Sequence, residues 1–120
     1  VLGRVAAGEP IEAVEDREEL SIDSLFGPAE EIFALQVTGQ SMVEAGIEDG
    51  DYVICRRSAV ASQGQLVIAV LDDENATLKR FYKEPGRVRL EPANDAYKPI
   101  YSDNCRIEAV VVGLIRRTCT

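Results

Sequence analysis

An all-β domain, built mostly of antiparallel strands with short helical turns at most, is the fold class this sequence predicts. Three observations predict it. Apolar and polar residues alternate in short runs, the period of a half-buried strand. Glycine, proline, asparagine and aspartate punctuate those runs at close intervals. The last run, "RIEAVVVGLIRR", is apolar on both of its faces, as a buried strand requires.

The elements follow in order. Residues 1–31 begin with the small residues Ala6, Ala7 and Gly8 and continue into an acidic stretch. Its "PIEAVEDREEL" spreads acids around every helical face, so an extended, solvated arm is expected there. "LFGPAEE" is a turn marked by Gly27 and Pro28. Phe33, Leu35 and Val37 then alternate with Ala34, Gln36 and Thr38, which predicts a half-buried strand. "GQSMVEAGIEDGD" supplies turn residues and room for one helical turn around Met42–Ala45. "DYVICRR" is a strand, "SAVASQG" a connection and "QLVIAVL" a buried strand. "DDEN" turns into "ATLKRFYK", and "EPGR" turns into "VRLEP", which together predict an antiparallel meander. A loop containing Asn94, Asp95 and Pro99 precedes the final strand. Residues 1–31 are thus read as an arm and residues 32–120 as the β-domain, the two forming one structural domain.

In that final strand, strict alternation puts Ile107, Ala109, Val111 and Ile115 on one side. Val110, Val112 and Leu114 fall on the other. Either the strand is central in the core, or its second face is covered by another copy of the chain.

Composition excludes several classes of function. The chain has 120 residues and is 46% apolar, enough for one modest core. Its longest apolar run is only a strand's length, so no membrane span is expected. The absence of a starting methionine suggests part of a longer protein. Residues 9–31 hold nine acids and one base, which accounts for the whole net charge of −8. The rest of the chain balances, with no basic surface to neutralise nucleic-acid phosphates. Cys55, Cys105 and Cys119 lack paired spacing and there is no histidine, so reduced thiols are expected and neither a disulfide framework nor a zinc site is. No metal or cofactor is expected.

"LQVTGQSM" raises the question of whether Ser41 is a nucleophile. A serine hydroxyl needs a base within hydrogen-bond reach. Without histidine, both Ser-His-Asp and Cys-His chemistry are excluded, and a neutral lysine is the remaining common partner. The chain has three lysines, Lys79, Lys83 and Lys98. Lys98 precedes a proline in a polar loop and Lys83 ends its strand beside a turn. Only Lys79 sits well inside a strand, with Thr77 and Phe81 on its own face. Burial there disfavours the charged form and lowers the pKa. A serine in a turn and a lysine in a meander are ordinarily structural, and nothing in the spacing makes them meet.

Four stretches carry a resemblance across nearly the whole chain. "GRVAAGEP", "VTGQSM", "AGIEDGDYVI" and "ATLKRFYK" occur in the order and spacing of the LexA-type family of self-cleaving bacterial repressors, and "RLEPANDAYKPI" and "GLIRR" add to the match. The chain resembles that family's C-terminal serine–lysine peptidase domain. The resemblance implies Ser41 as nucleophile, Lys79 as general base and Ala7–Gly8 as the bond cut. It implies an oxyanion hole from the backbone N–H groups of Gln40 and Ser41, with Gly39 letting the backbone turn so that they converge. Ala7 and Ser41 are 34 positions apart, enough chain for an extended arm of small residues to fold back.

Family members are homodimers joined through this domain, which makes Val110, Val112 and Leu114 interface candidates. Their cleavage is promoted by RecA filaments on single-stranded DNA and lifts repression of DNA-damage genes in the bacterial cytoplasm. Operator DNA is bound by an N-terminal winged helix-turn-helix domain that this sequence lacks. An UmuD-like polymerase accessory protein and a phage-type repressor share the fold and dyad. The UmuD branch usually cuts Cys–Gly, whereas residues 7–8 here are Ala–Gly. Signal peptidase shares the dyad but carries a membrane anchor. A non-catalytic β dimerisation module is the alternative of a different class.

Overall fold

The computed structural model describes residues 2–3, 19–20, 25–28, 30–72 and 75–117. The chain divides into two compact units, Val1–Ile32 and Phe33–Thr120. In the first, strands β1 (Leu2–Gly3) and β2 (Glu19–Leu20) pair antiparallel, Leu2 opposite Leu20 and Gly3 opposite Glu19. Sequence periodicity gave no sign of this pair, because two residues cannot display an alternation. The predicted cut, Ala7–Gly8, lies outside the described residues, as does Cys119.

The second unit carries β3 (Ile32–Gln36), β4 (Tyr52–Arg57), β5 (Leu66–Val70), β6 (Ala76–Glu84), β7 (Arg87–Glu91), β8 (Ile100–Ser102) and β9 (Arg106–Ile115). They form one seven-stranded sheet in the order β3-β4-β9-β5-β6-β7-β8. The described ladders β4–β9, β5–β9, β5–β6, β6–β7 and β7–β8 are all antiparallel. The all-β expectation is met. The helical turn expected near Met42–Ala45 is a single 3-10 turn, Val43–Ala45. Strand β8 was missed because three residues after Pro99 are too few to alternate; its partner β7 holds it through Leu90 opposite Ile100. No helix among the described residues is long and apolar enough to cross a membrane.

β9 lies between β4 and β5, and apolar clusters cover both of its faces. The first cluster centres on Met42, Ile47, Val53, Cys55, Ile68 and Ala109, with Val111 against it. The second centres on Val67, Ala69, Phe81, Leu90 and Val110, with Ile107 and Val112 against it. The doubly apolar sequence is therefore explained by burial within one chain.

Strict alternation fails at two β-bulges. Ile68 pairs with Ala109 but Ala69 with Ile107, which leaves Glu108 as the extra residue. Ile54 pairs with Gly113 but Cys55 with Val111, which leaves Val112 extra. Each bulge flips the side-chain sequence by one residue. Ile107 thereby joins Val110 and Val112, and Leu114, opposite Val53, shares the face of the first cluster. Of the three interface candidates, Val110 is 2% exposed inside the second cluster. A charge there would break the core, because fully burying a valine contributes about 1.5–3 kcal/mol. Leu114, 42% exposed, is the outward residue of the three.

Candidate active site

The segment between β3 and β4 is a loop closed at its base by the backbone. Val37 N–H donates to Asp51 O at 2.7 Å, and Gly50 N–H donates to Val37 O at 2.8 Å. Arg116, just beyond β9, locks the far side. Its guanidinium donates to both Asp51 carboxylate oxygens, at 2.8 and 2.7 Å, and to Gly46 O at 2.7 Å. Gly39 adopts φ +90°, a conformation costly for any residue with a Cβ, and its N–H donates to Asp49 Oδ1 at 2.7 Å. Immediately after Ser41, Met42 is 2% exposed and anchors the loop in the first cluster. The serine is thus carried on a braced loop with an apolar anchor next to it.

Lys79 sits in the middle of β6, opposite the fully buried Val67. It is itself only 7% exposed, whereas Lys83 and Lys98 are exposed. The structure brings Lys79 Nζ to 3.0 Å from Ser41 Oγ. Nζ also donates to Thr77 Oγ1 at 2.8 Å and to Leu78 O at 3.1 Å. All three partners are neutral, and among the described residues no carboxylate bonds to Nζ. Burial therefore meets no counter-charge among the described residues and holds the lysine pKa below its ordinary 10.5.

This partner set suits a neutral amine, which has two N–H bonds and one lone pair. Thr77 Oγ1 and Leu78 O take the two N–H bonds. The lone pair then accepts the Ser41 O–H, the arrangement in which lysine can remove the hydroxyl proton. Sequence reasoning placed Thr77 on the face of Lys79 but gave it no role.

A cleft of about 240 Å³ opens beside the pair. Leu35, Met42, Val53, Ile68 and Leu78 form its apolar walls, and Ser41 and Lys79 lie in it. This explains one departure from expectation. Leu35, expected to be half-buried, is 38% exposed because it walls an open cleft. A larger hollow of about 520 Å³ around Arg87 and Tyr101 contains no serine–lysine pair, so size is a poor guide to chemistry here.

The two oxyanion candidates are the N–H groups of Gln40 and Ser41. Among the described residues neither N–H donates a hydrogen bond, whereas the Ser41 carbonyl accepts one and the Gln40 carbonyl two, from Asn94 Nδ2 at 2.8 Å and Val43 N–H at 3.4 Å. Cys55 is fully buried, and desolvation pushes its thiol up to about 11, which makes it an inert core residue. Among the described residues no group of acids and cysteines could hold a metal ion.

The model of the Peptidase S24-like family matches residues 1–112. The chain belongs to the Peptidase S24-like family. Three curated relatives, each a LexA repressor, show the degree of similarity. That of Staphylococcus epidermidis is 48% identical over 119 residues, covering 97% of this chain and 58% of the relative. That of Zymomonas mobilis is 47% identical over 117 residues, covering 96% and 54%. That of Bacillus subtilis is 44% identical over 118 residues, covering 97% and 58%. The chain spans a little over half the length of these relatives.

Proposed function

We propose that this S24-like domain is the self-cleaving part of a LexA-type repressor and that it cuts its own Ala7–Gly8 bond. The observation that carries this reading is the 3.0 Å approach of Lys79 Nζ to Ser41 Oγ, at a buried lysine with no counter-charge bonded to it among the described residues. Neutral Lys79 takes the Ser41 proton as Oγ bonds to the Ala7 carbonyl carbon. Gln40 and Ser41 N–H hold the resulting oxyanion. The C–N bond then breaks, and Lys79 returns the proton to the Gly8 nitrogen. Water, deprotonated by Lys79, finally releases Ala7 from Ser41. Because substrate and enzyme are one chain, docking of the arm controls the reaction rather than substrate supply.

In the whole repressor, RecA filaments on single-stranded DNA promote this step, and operator DNA is held by a segment outside this sequence. The domain is a homodimer, with Leu114 and Val112 as interface candidates. Leu114 supports that reading, being a large apolar residue exposed at the end of a central strand. Sedimentation should give a dimer at tens of micromolar, an association of roughly −7 kcal/mol; a monomer at that concentration overturns it.

Mass spectrometry of the purified chain, incubated at neutral and alkaline pH, tests the cleavage. Fragments ending at Ala7 and beginning at Gly8 are expected, faster at alkaline pH. Ser41→Ala and Lys79→Ala should each stay intact and folded. An intact wild-type chain after prolonged alkaline incubation favours the non-catalytic dimerisation module. A cut at another bond refutes the assigned site.

A further inference from the structure

The motif "PAND", residues 92–95, has no role in the chemistry above, yet it lies against the serine loop. Four hydrogen bonds join the two segments. Ala93 N–H donates to Ser41 O at 2.7 Å, and Glu44 N–H donates to Ala93 O at 2.7 Å. Asn94 Nδ2 donates to Gln40 O at 2.8 Å. Asp95 N–H donates to Glu44 Oε2 at 3.1 Å. Only the Asn94 bond comes from a side chain of the motif and reaches a carbonyl in the oxyanion segment.

The Gln40 carbonyl and the Ser41 N–H belong to one peptide unit. That unit is planar and trans, so its C=O and N–H point in opposite directions. A donor fixed on the carbonyl therefore fixes the direction of the N–H on the far side, and of the two donors there Asn94 Nδ2, at 2.8 Å, is much closer than Val43 N–H, at 3.4 Å. It also polarises the unit and strengthens that N–H as a donor. Asn94 is well suited to the task because its own orientation is set. Its Oδ1 accepts the Ala96 N–H at 2.9 Å, and its backbone oxygen accepts the Tyr97 N–H at 3.0 Å. With Oδ1 committed to an N–H, Nδ2 is the end that faces Gln40.

We propose that Asn94 is a positioning residue for the oxyanion hole, holding the Gln40–Ser41 peptide so that Ser41 N–H faces the tetrahedral intermediate. This rests on the serine–lysine reading. Asn94 touches neither the cut bond nor the proton in transit. Its effect falls on the stabilisation of the developing charge, not on the ionisation of Lys79.

The rate of self-cleavage against pH, measured for wild type, Asn94→Ala, Asn94→Asp and Ser41→Ala, tests it. Asn94→Asp keeps an acceptor for Ala96 N–H, so the local turn survives, but it loses the donor and sets a carboxylate against the Gln40 oxygen. Deleting an oxyanion donor outright costs roughly 100- to 1,000-fold, and misdirecting one should cost about 10- to 100-fold. That loss is expected in the alkaline plateau of both variants, with the pH midpoint of Asn94→Ala unchanged. Thermal melting of Asn94→Asp should stay cooperative with its midpoint well above the assay temperature, so that the loss is read on a folded domain. Wild-type plateaus in both variants overturn the proposal. So does a loss expressed only as a displaced midpoint, which would place Asn94 in the tuning of Lys79. Cleavage by Ser41→Ala would instead overturn the serine–lysine reading itself.

Discussion

Asp51 and Lys79 are the two buried charged residues among those described, 2% and 7% exposed, and their surroundings are opposite. Asp51 meets a full counter-charge. Arg116 grips both of its oxygens, and Glu48 N–H adds a third bond at 2.7 Å. The Arg116 hydrogen bonds, followed by that backbone bond, pull the Asp51 carboxyl from 3.8 to about 2. Lys79 meets a hydroxyl from serine, a hydroxyl from threonine and a carbonyl, and burial pushes its pKa the other way, toward neutrality. Both groups bear the cost of leaving water. At Asp51 the fold compensates that cost and keeps the charge, which braces a loop. At Lys79 it leaves the cost uncompensated, so the proton is loosely held and the amine can act as a base.

Removing each charge should therefore change stability in opposite directions. Asp51→Asn carries the largest expected effect. It strips the buried, two-oxygen counter-charge from Arg116, leaving it the exposed Glu48 carboxylate at 3.2 Å, and loosens the turn that closes the serine loop, so the melting midpoint should fall far more than for the exposed Asp95→Asn. Wild type keeps the Asp51 contribution above the unfolded pKa near 3.8 and loses it as pH falls toward about 2. Urea or thermal melts of the two variants at pH 7 check this, and equal midpoints would show that the ion pair braces nothing.

Lys79→Met should do the reverse and stabilise the domain by about 1 kcal/mol, since replacing an uncompensated buried charge with an apolar side chain is commonly favourable. Both chains are compared in the Ser41→Ala background so that neither is cut. The sign with pH follows from the lowered folded pKa. Between that value and the unfolded value near 10.5 the unfolded chain binds more protons, so stability rises with pH. The advantage of Lys79→Met should accordingly be full at low pH and fade as pH climbs through the folded pKa. An advantage that grows with pH would sink the uncompensated-charge account.

The two sites differed in how legible they were. Lys79 could be singled out because it is the one lysine well inside a strand, in a chain without histidine. Its meeting with Ser41 depends on how β6 lies against the serine loop, which no local pattern encodes. Asp51 carried no sequence signal of burial; its partner Arg116 lies 65 positions away. The antiparallel strands were readable wherever alternation or continuous apolarity ran for five residues or more, as in β5 and β6. β9 was readable as an element but not in its facing, because the bulges at Glu108 and Val112 leave no mark in composition. Asn94 read as a turn residue, which it is, while its bond to Gln40 crosses 54 positions.

Thr77→Val leaves the fold least disturbed and is the most selective probe of the lysine site. It removes the Oγ1 acceptor 2.8 Å from Nζ while keeping a β-branched side chain of the same shape in the strand. Hydrogen bonds to an ionised donor are stronger than those to a neutral one. The ammonium therefore loses more than the amine does, and the lysine pKa falls further. The cleavage profile should shift toward neutral pH. The plateau should nevertheless drop, by about tenfold, because an amine held by Leu78 O alone no longer aims its lone pair at the Ser41 hydroxyl. Thr77→Ser should recover both features. A wild-type profile in Thr77→Val would mean that burial alone sets the behaviour of Lys79. A shift toward higher pH would mean that the lost hydroxyl had favoured the neutral amine over the ammonium, the opposite of a charge-assisted bond.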